Sequence, residues 1–166
     1  SRTAMKPFQH AAYARPVAAG LEVAERLTRR YDKPTFDFKT IKLPAVNGAK
    51  AVSVHVREVV ADETPFCNLV HFKKEGVSGQ PKVLIVAPLS GHYATLLRGT
   101  VEAMLPEHDV YISDWTDGRD VPVRDGTFHL DDYIELMIRY LELLGPDCHV
   151  VAVCQPSVPV LAAVAV

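Results

Sequence analysis

Apolar and polar positions alternate in different ways along the chain, and the changes mark the elements. Leu21-Glu22-Val23-Ala24-Glu25-Arg26-Leu27 carries apolar residues at 21, 24 and 27 with charges between them. That is a helical period, and it predicts a helix from about Pro7 to Tyr31, ended by Asp32-Lys33-Pro34. Thr35 to Ala49 holds prolines and an Asn47-Gly48 turn signal, so it reads as linker and hairpin. Val52 to Val60 begins by alternating apolar with polar residues, the mark of a strand with one wet face. Phe66 to Phe72 is a second strand of less regular pattern.

Beyond this point the apolar runs become continuous. Val83-Leu84-Ile85-Val86-Ala87 is what a strand buried on both faces looks like. Tyr93 to Leu105 is amphipathic and predicts a helix, and Asp109 to Trp115 predicts another strand. Phe128 to Leu144 is a long amphipathic helix with Leu130, Tyr133, Ile134, Met137, Ile138, Leu141 and Leu144 along one face, stopped by Gly145-Pro146. Cys148 to Val153 is the last strand. Strands alternating with helices imply βαβ units and a parallel sheet, so the fold class is α/β.

The last strand ends abruptly at a cysteine. Val150-Val151-Ala152-Val153-Cys154-Gln155-Pro156 is followed by the small-residue stretch Val160 to Ala165. Strand, sharp turn and helix with one thiol on the turn is the layout of a nucleophile elbow. A thiol there is exposed by the turn, and the dipole of the following helix favours the reactive thiolate. The usual elbow has glycines where this chain has Ala152 and Pro156. Alanine is small enough for the turn to close, and Pro156 suits a first helical position. Gln155, preceding a proline, is pushed toward the extended geometry of an N-cap. Pro159 fits less well with a helix that starts at Pro156.

Composition narrows the function classes. The chain has 166 residues, 48% apolar and 23% charged, with a formal net charge of −2, so nothing favours nucleic acid or an anionic membrane as partner. Cys67, Cys148 and Cys154 make no disulfide framework and suggest a reducing, cytoplasmic compartment. No run approaches the ~18 apolar residues of a membrane span.

In open α/β sheets ligands bind outside the carboxyl ends of the strands. Three loops are expected there: Pro88 to Tyr93, Trp115 to Asp120, and Cys154-Gln155. Acyl transfer needs two N–H donors for the developing oxyanion, one of them worth roughly 3–4 kcal/mol. The residue after the nucleophile, Gln155, supplies one, and the Leu89-Ser90-Gly91-His92 loop is the natural source of the other. Gly91 allows close backbone approach, and His92 lines the pocket. Trp115 and Asp117 either line that pocket or serve as a core Trp and a solvated turn Asp. His149 lies five residues before Cys154 on the same strand and is out of reach as a base. No His, Cys or Asp set has metal-ligand spacing, and no phosphate loop follows the 83–87 strand, so neither metal nor cofactor is expected.

From about Ala18 onward these residues resemble the intracellular polyhydroxyalkanoate (poly-3-hydroxybutyrate) depolymerases, a branch of the α/β-hydrolase superfamily. The resemblance rests on Arg26 to Phe36, Ala87 to Val101, Asp109 to Asp120, and Val153-Cys154-Gln155-Pro156. It implies an α/β-hydrolase-like, mostly parallel sheet, and a cysteine nucleophile that cleaves storage-polymer esters on cytoplasmic granules. Cys154 would be the nucleophile, with Gln155, Leu89 and Ser90 around the oxyanion and Gly91, His92 and Trp115 around the pocket. In such hydrolases the acid and histidine follow the elbow. Only twelve residues follow Cys154 here. The expectation is therefore an incomplete fold: residues 1–50 as N-terminal helix and linker, and 51–166 as the N-terminal part of the hydrolase domain. The elbow strand would then be an exposed edge, covered by a second polypeptide carrying the later strands, the acid and the base. Two other readings compete. One is the acyltransferase chemistry of polyhydroxyalkanoate synthases, whose elbow cysteine is flanked by glycines. The other is a non-catalytic, granule-associated piece.

Overall fold

The computed structural model describes residues 14–29, 33–44, 51–89 and 93–166. The chain separates into two compact units, Ser1–Lys33 and Pro34–Val166. The first contains helix α1, Ala14–Thr28. Two ion pairs one turn apart, Glu22–Arg26 at 2.7 Å and Glu25–Arg29 at 3.3 Å, line its polar side. The flanking stretches expected to extend this helix, 7–13 and 30–31, lie outside the described residues.

The second unit is mixed α/β. Its strands are β1 (Thr40–Leu43), β2 (Val52–Glu63), β3 (Cys67–Lys74), β4 (Lys82–Val86), β5 (Asp109–Trp115) and β6 (His149–Ala152). They form one sheet in the order β1-β2-β3-β5-β4-β6. Three of the five pairings are antiparallel and two are parallel, so the expected mostly parallel sheet is found only in β5-β4-β6. The reason lies in the connections. β2 and β3 are joined by Thr64-Pro65-Phe66, too short for a crossover, so they can only pair antiparallel. Thr64 closes that turn: its hydroxyl donates to the Cys67 carbonyl at 2.6 Å and accepts from the Cys67 N–H at 3.0 Å. Only after β4 do helical crossovers begin.

Helix α2 (Arg98–Met104) follows a short 3₁₀ turn, Ala94–Leu97. Helix α3 (Leu130–Leu144) starts where Asp132 reaches back to accept from the His129 N–H at 2.6 Å, and ends at Gly145, whose φ of 89° requires glycine. Helix α4 (Ser157–Val164) packs against α3.

From β4 the chain steps to β5 on one side, then crosses back over β4 to β6 on the other. Parallel crossovers are right-handed almost without exception, and for two crossovers that run in opposite directions along the sheet this puts α2 and α3 on opposite faces. The contacts agree. Trp115 meets Tyr133 of α3, while Lys74, on the other face, reaches the carbonyl of Leu105 just after α2. Val83 to Ala87 are buried at every position, as a strand covered on both faces must be. β6 is one edge of the sheet, its residues only half-buried or exposed.

Candidate functional site

The helices that follow β4 and β6 lie on opposite faces, which makes the gap between the carboxyl ends of these two strands the topological switch point of the sheet. Ligand crevices form at such points. Cys154 ends one wall, and Pro88-Leu89 ends the other.

The Cys154 wall is a tight turn. Val153 extends the β6 pairing by donating to the Val86 carbonyl at 3.3 Å. Cys154 then adopts φ of 69°, left-handed backbone that side chains other than glycine rarely take. The turn is locked from beyond. The Ser157 N–H and hydroxyl both donate to the Cys154 carbonyl, at 3.2 and 2.8 Å. The helix begins one residue later than Pro156 suggested: Pro156 is the buried cap residue, and Ser157 opens α4. That shift answers the difficulty with Pro159. It falls in the first turn, where the missing N–H would have had no helical partner. Gln155 sits in the turn itself, ahead of the cap.

The thiol is exposed, and among the described residues nothing hydrogen-bonds to its sulfur. The other cysteines differ. Cys67 is fully buried, and Cys148 is half-buried, with its thiol pushed up chiefly by that burial, against the opposing pull of Lys82 and a backbone hydrogen bond from Leu84.

The facing wall is anchored at Ala87. Its N–H donates to the Ser113 hydroxyl at 2.8 Å, and its carbonyl accepts from the Trp115 indole, also at 2.8 Å. Trp115 is 3% exposed and edge-on to Phe128 and Tyr133, so it belongs to the core beneath the crevice. Leu89 is exposed, and its N–H donates to the Gln155 side-chain oxygen at 3.2 Å. Two of the residues expected around the oxyanion, Leu89 and Gln155, are thus brought together across the crevice. Ser90, Gly91 and His92 lie outside the described residues. In the loop after β5, Asp117 binds Arg119 through both carboxylate oxygens.

Among the described residues, no histidine–carboxylate pair meets the thiol. The pair that does form, His71 with Asp109 at 2.7 Å, lies at the amino end of β5. Asp109 is six residues from Trp115 along that strand, about 20 Å. His149 likewise pairs with Val83 at the amino ends of β6 and β4, away from Cys154. An open groove of about 570 Å³, lined by Gln80, Lys82, Asp147 and His149 among others, is also at that far end. No group of three or more metal-ligating side chains occurs among the described residues, nor any helix long and apolar enough to cross a membrane.

Compared with known protein families, curated proteins and solved structures, the chain matches none.

Proposed function

We propose that Cys154 is the nucleophile of a carboxylic ester hydrolase that cleaves hydroxyacyl esters of intracellular polyhydroxyalkanoate (poly-3-hydroxybutyrate). The observation that carries this reading is the left-handed backbone of Cys154, φ 69°, between β6 and α4. For a residue with a Cβ that conformation costs about 1–3 kcal/mol, and such strain clusters at functional sites. Glycine would serve a merely structural turn better. A strained strand-to-helix turn at a switch point of the sheet is the setting of the α/β-hydrolase nucleophile. The substrate class comes from the sequence resemblance.

In this reading the thiolate sulfur attacks the ester carbonyl carbon. A C–S bond forms, and the carbonyl π pair moves onto oxygen, where the backbone N–H groups of Gln155 and Leu89 would receive it. Collapse breaks the C–O bond to the rest of the polymer, whose alkoxide takes up a proton. The 3-hydroxyacyl thioester left on Cys154 is then hydrolysed: water adds, the C–S bond breaks, and the thiol is restored. The histidine and acid that drive turnover would come from polypeptide lying against β6 and α4. Val158, Leu161 and Val164 support this: they are exposed on a helix without a charged residue, and apolar helices of that kind are normally covered. Activity would be exerted at the surface of storage granules.

The test is to incubate the chain with p-nitrophenyl 3-hydroxybutyrate, whose leaving group departs as phenolate, and to map the adduct by mass spectrometry. We expect a hydroxyacyl group on Cys154 and none in Cys154→Ala. Acylation of Cys67 or Cys148 instead, or no adduct where free cysteine reacts, would defeat the proposal.

A further inference from the structure

We infer that Gln155 keeps the site occupied by the protein itself, its side-chain oxygen sitting on the Leu89 N–H that a substrate oxygen would otherwise take. The inference rests on the reading of Cys154 as an acyl-accepting nucleophile.

The β4 wall has few donors to offer. The Ala87 N–H is committed to Ser113, and Pro88 has none. Leu89 therefore carries the first N–H of that wall able to reach a ligand, and Gln155 Oε1 holds it at 3.2 Å. The two residues are 66 positions apart and stand on opposite sides of the crevice, so the bond spans the place where the reacting carbonyl would lie. Gln155 also directly follows the nucleophile. One residue thus offers a backbone donor to the oxyanion while its side chain covers the second donor.

The order of acceptor strength gives this arrangement a consequence. A carboxamide oxygen, enriched by the nitrogen lone pair, accepts better than an ester carbonyl oxygen and worse than an oxyanion. A resting ester therefore gains little by displacing Oε1, whereas the charge developing on the same oxygen gains much. The Leu89 N–H is released to the substrate mainly as the transition state forms, and ester affinity in the ground state stays low. Gln155 acts here as a gating residue, through Leu89.

The experiment follows acylation by p-nitrophenyl 3-hydroxybutyrate at low ester concentration, alongside alkylation by iodoacetamide, which generates no oxyanion. Gln155→Ala and Gln155→Met both remove the acceptor, and Met keeps the side-chain length. In each, the second-order rate of acylation is expected to rise about two- to tenfold, the worth of one neutral hydrogen bond, with alkylation unchanged. The Leu89 amide should exchange with solvent faster in both variants. Acylation that is unchanged or slower relative to alkylation, or Leu89 exchange that does not move, overturns the inference. If the wild-type chain is not acylated at all, the ester reading fails, and Leu89 exchange still decides whether Gln155 closes the site.

Discussion

The two ends of the central strands are built on opposite terms. At the end where β5 begins, polar groups are paired and half-buried. His71 and Asp109 bond at 2.7 Å, the His71 ring stacks on Tyr111, and the Tyr111 hydroxyl, pushed up to about 12 chiefly by burial and further by Asp109, donates to the same carboxylate. Lys74, 5% exposed and with its ammonium pushed down by burial, donates to the carbonyls of Leu105 and His108. Lys82 donates to the Leu144 carbonyl at 2.7 Å. At the other end an exposed thiol stands on strained backbone, and one neutral hydrogen bond bridges the crevice. The difference separates what holds the sheet together from what is available for chemistry. Substitutions at the first end should cost stability, whereas at the second they should cost reactivity.

Alkylation of the native chain gives the widest contrast. Cys154 should be modified first and Cys148 later, with Cys67 protected until the sheet opens. Mass mapping over time reads the order, and early labelling of Cys67 would contradict the division. Next in size is Lys74→Met. It keeps the volume but leaves two carbonyls without their charged donor, and should cost about 2–3 kcal/mol in a urea titration. A loss under about half of that would mean water replaces the ammonium.

Asp109→Asn should cost less, about 1 kcal/mol, and its cost should depend on pH. The Asp109 carboxyl is held below its ordinary 3.8: burial pushes it up, but the hydrogen bond and charge of His71, with Lys74 and Tyr111, outweigh that. A depressed folded value means the contribution is present above 3.8 and is lost as the pH falls through the lower folded value. The gap between wild type and Asp109→Asn should therefore close on acidification through that window, and a gap that widened there would reverse the assignment. The smallest effect is expected at Cys154→Gly. It relieves the left-handed strain against a small entropic cost in the unfolded chain, and should raise stability by up to about 1 kcal/mol while removing acylation. A stability loss of that size would show that the cysteine is held by packing.

The legible parts of this fold are those with long, unmixed patterns. The 83–87 run and the α3 period each identified an element, because a doubly covered strand and an amphipathic helix leave repeated signals. Strand direction is carried by connection lengths and not by periodicity: the short link at Thr64-Pro65-Phe66 dictates an antiparallel pair, whereas a run such as Val83 to Val86 reports burial whatever the orientation of its neighbours. β1, four residues inside a stretch that reads as linker and hairpin, was too short to show a period. The face of α3 was only partly readable. Leu130 is exposed and Ile134, Ile138 and Leu141 are half-buried, whereas Leu136 and Tyr140 are buried, the Tyr140 hydroxyl donating to the Cys67 carbonyl of β3, so the covered stripe is turned to one side of the expected one. At the site, the strand-to-helix turn at Cys154 was visible in the sequence. Its left-handed backbone was not, since no glycine marks it, and the Leu89–Gln155 bond joins segments that no local pattern connects.

Ala87 gives the crevice a mechanical property. Both its amide groups are fastened to β5, one through Ser113 and one through Trp115, so it is a fixed pivot two residues from Leu89. Two peptide units span at most about 7 Å, which limits the lever arm on which the Leu89 N–H can swing. Opening the crevice is then a short stroke about a clamped point, and little of the displacement passes into the buried strands behind it. A ligand entering or leaving the crevice would leave the core as tightly packed as before.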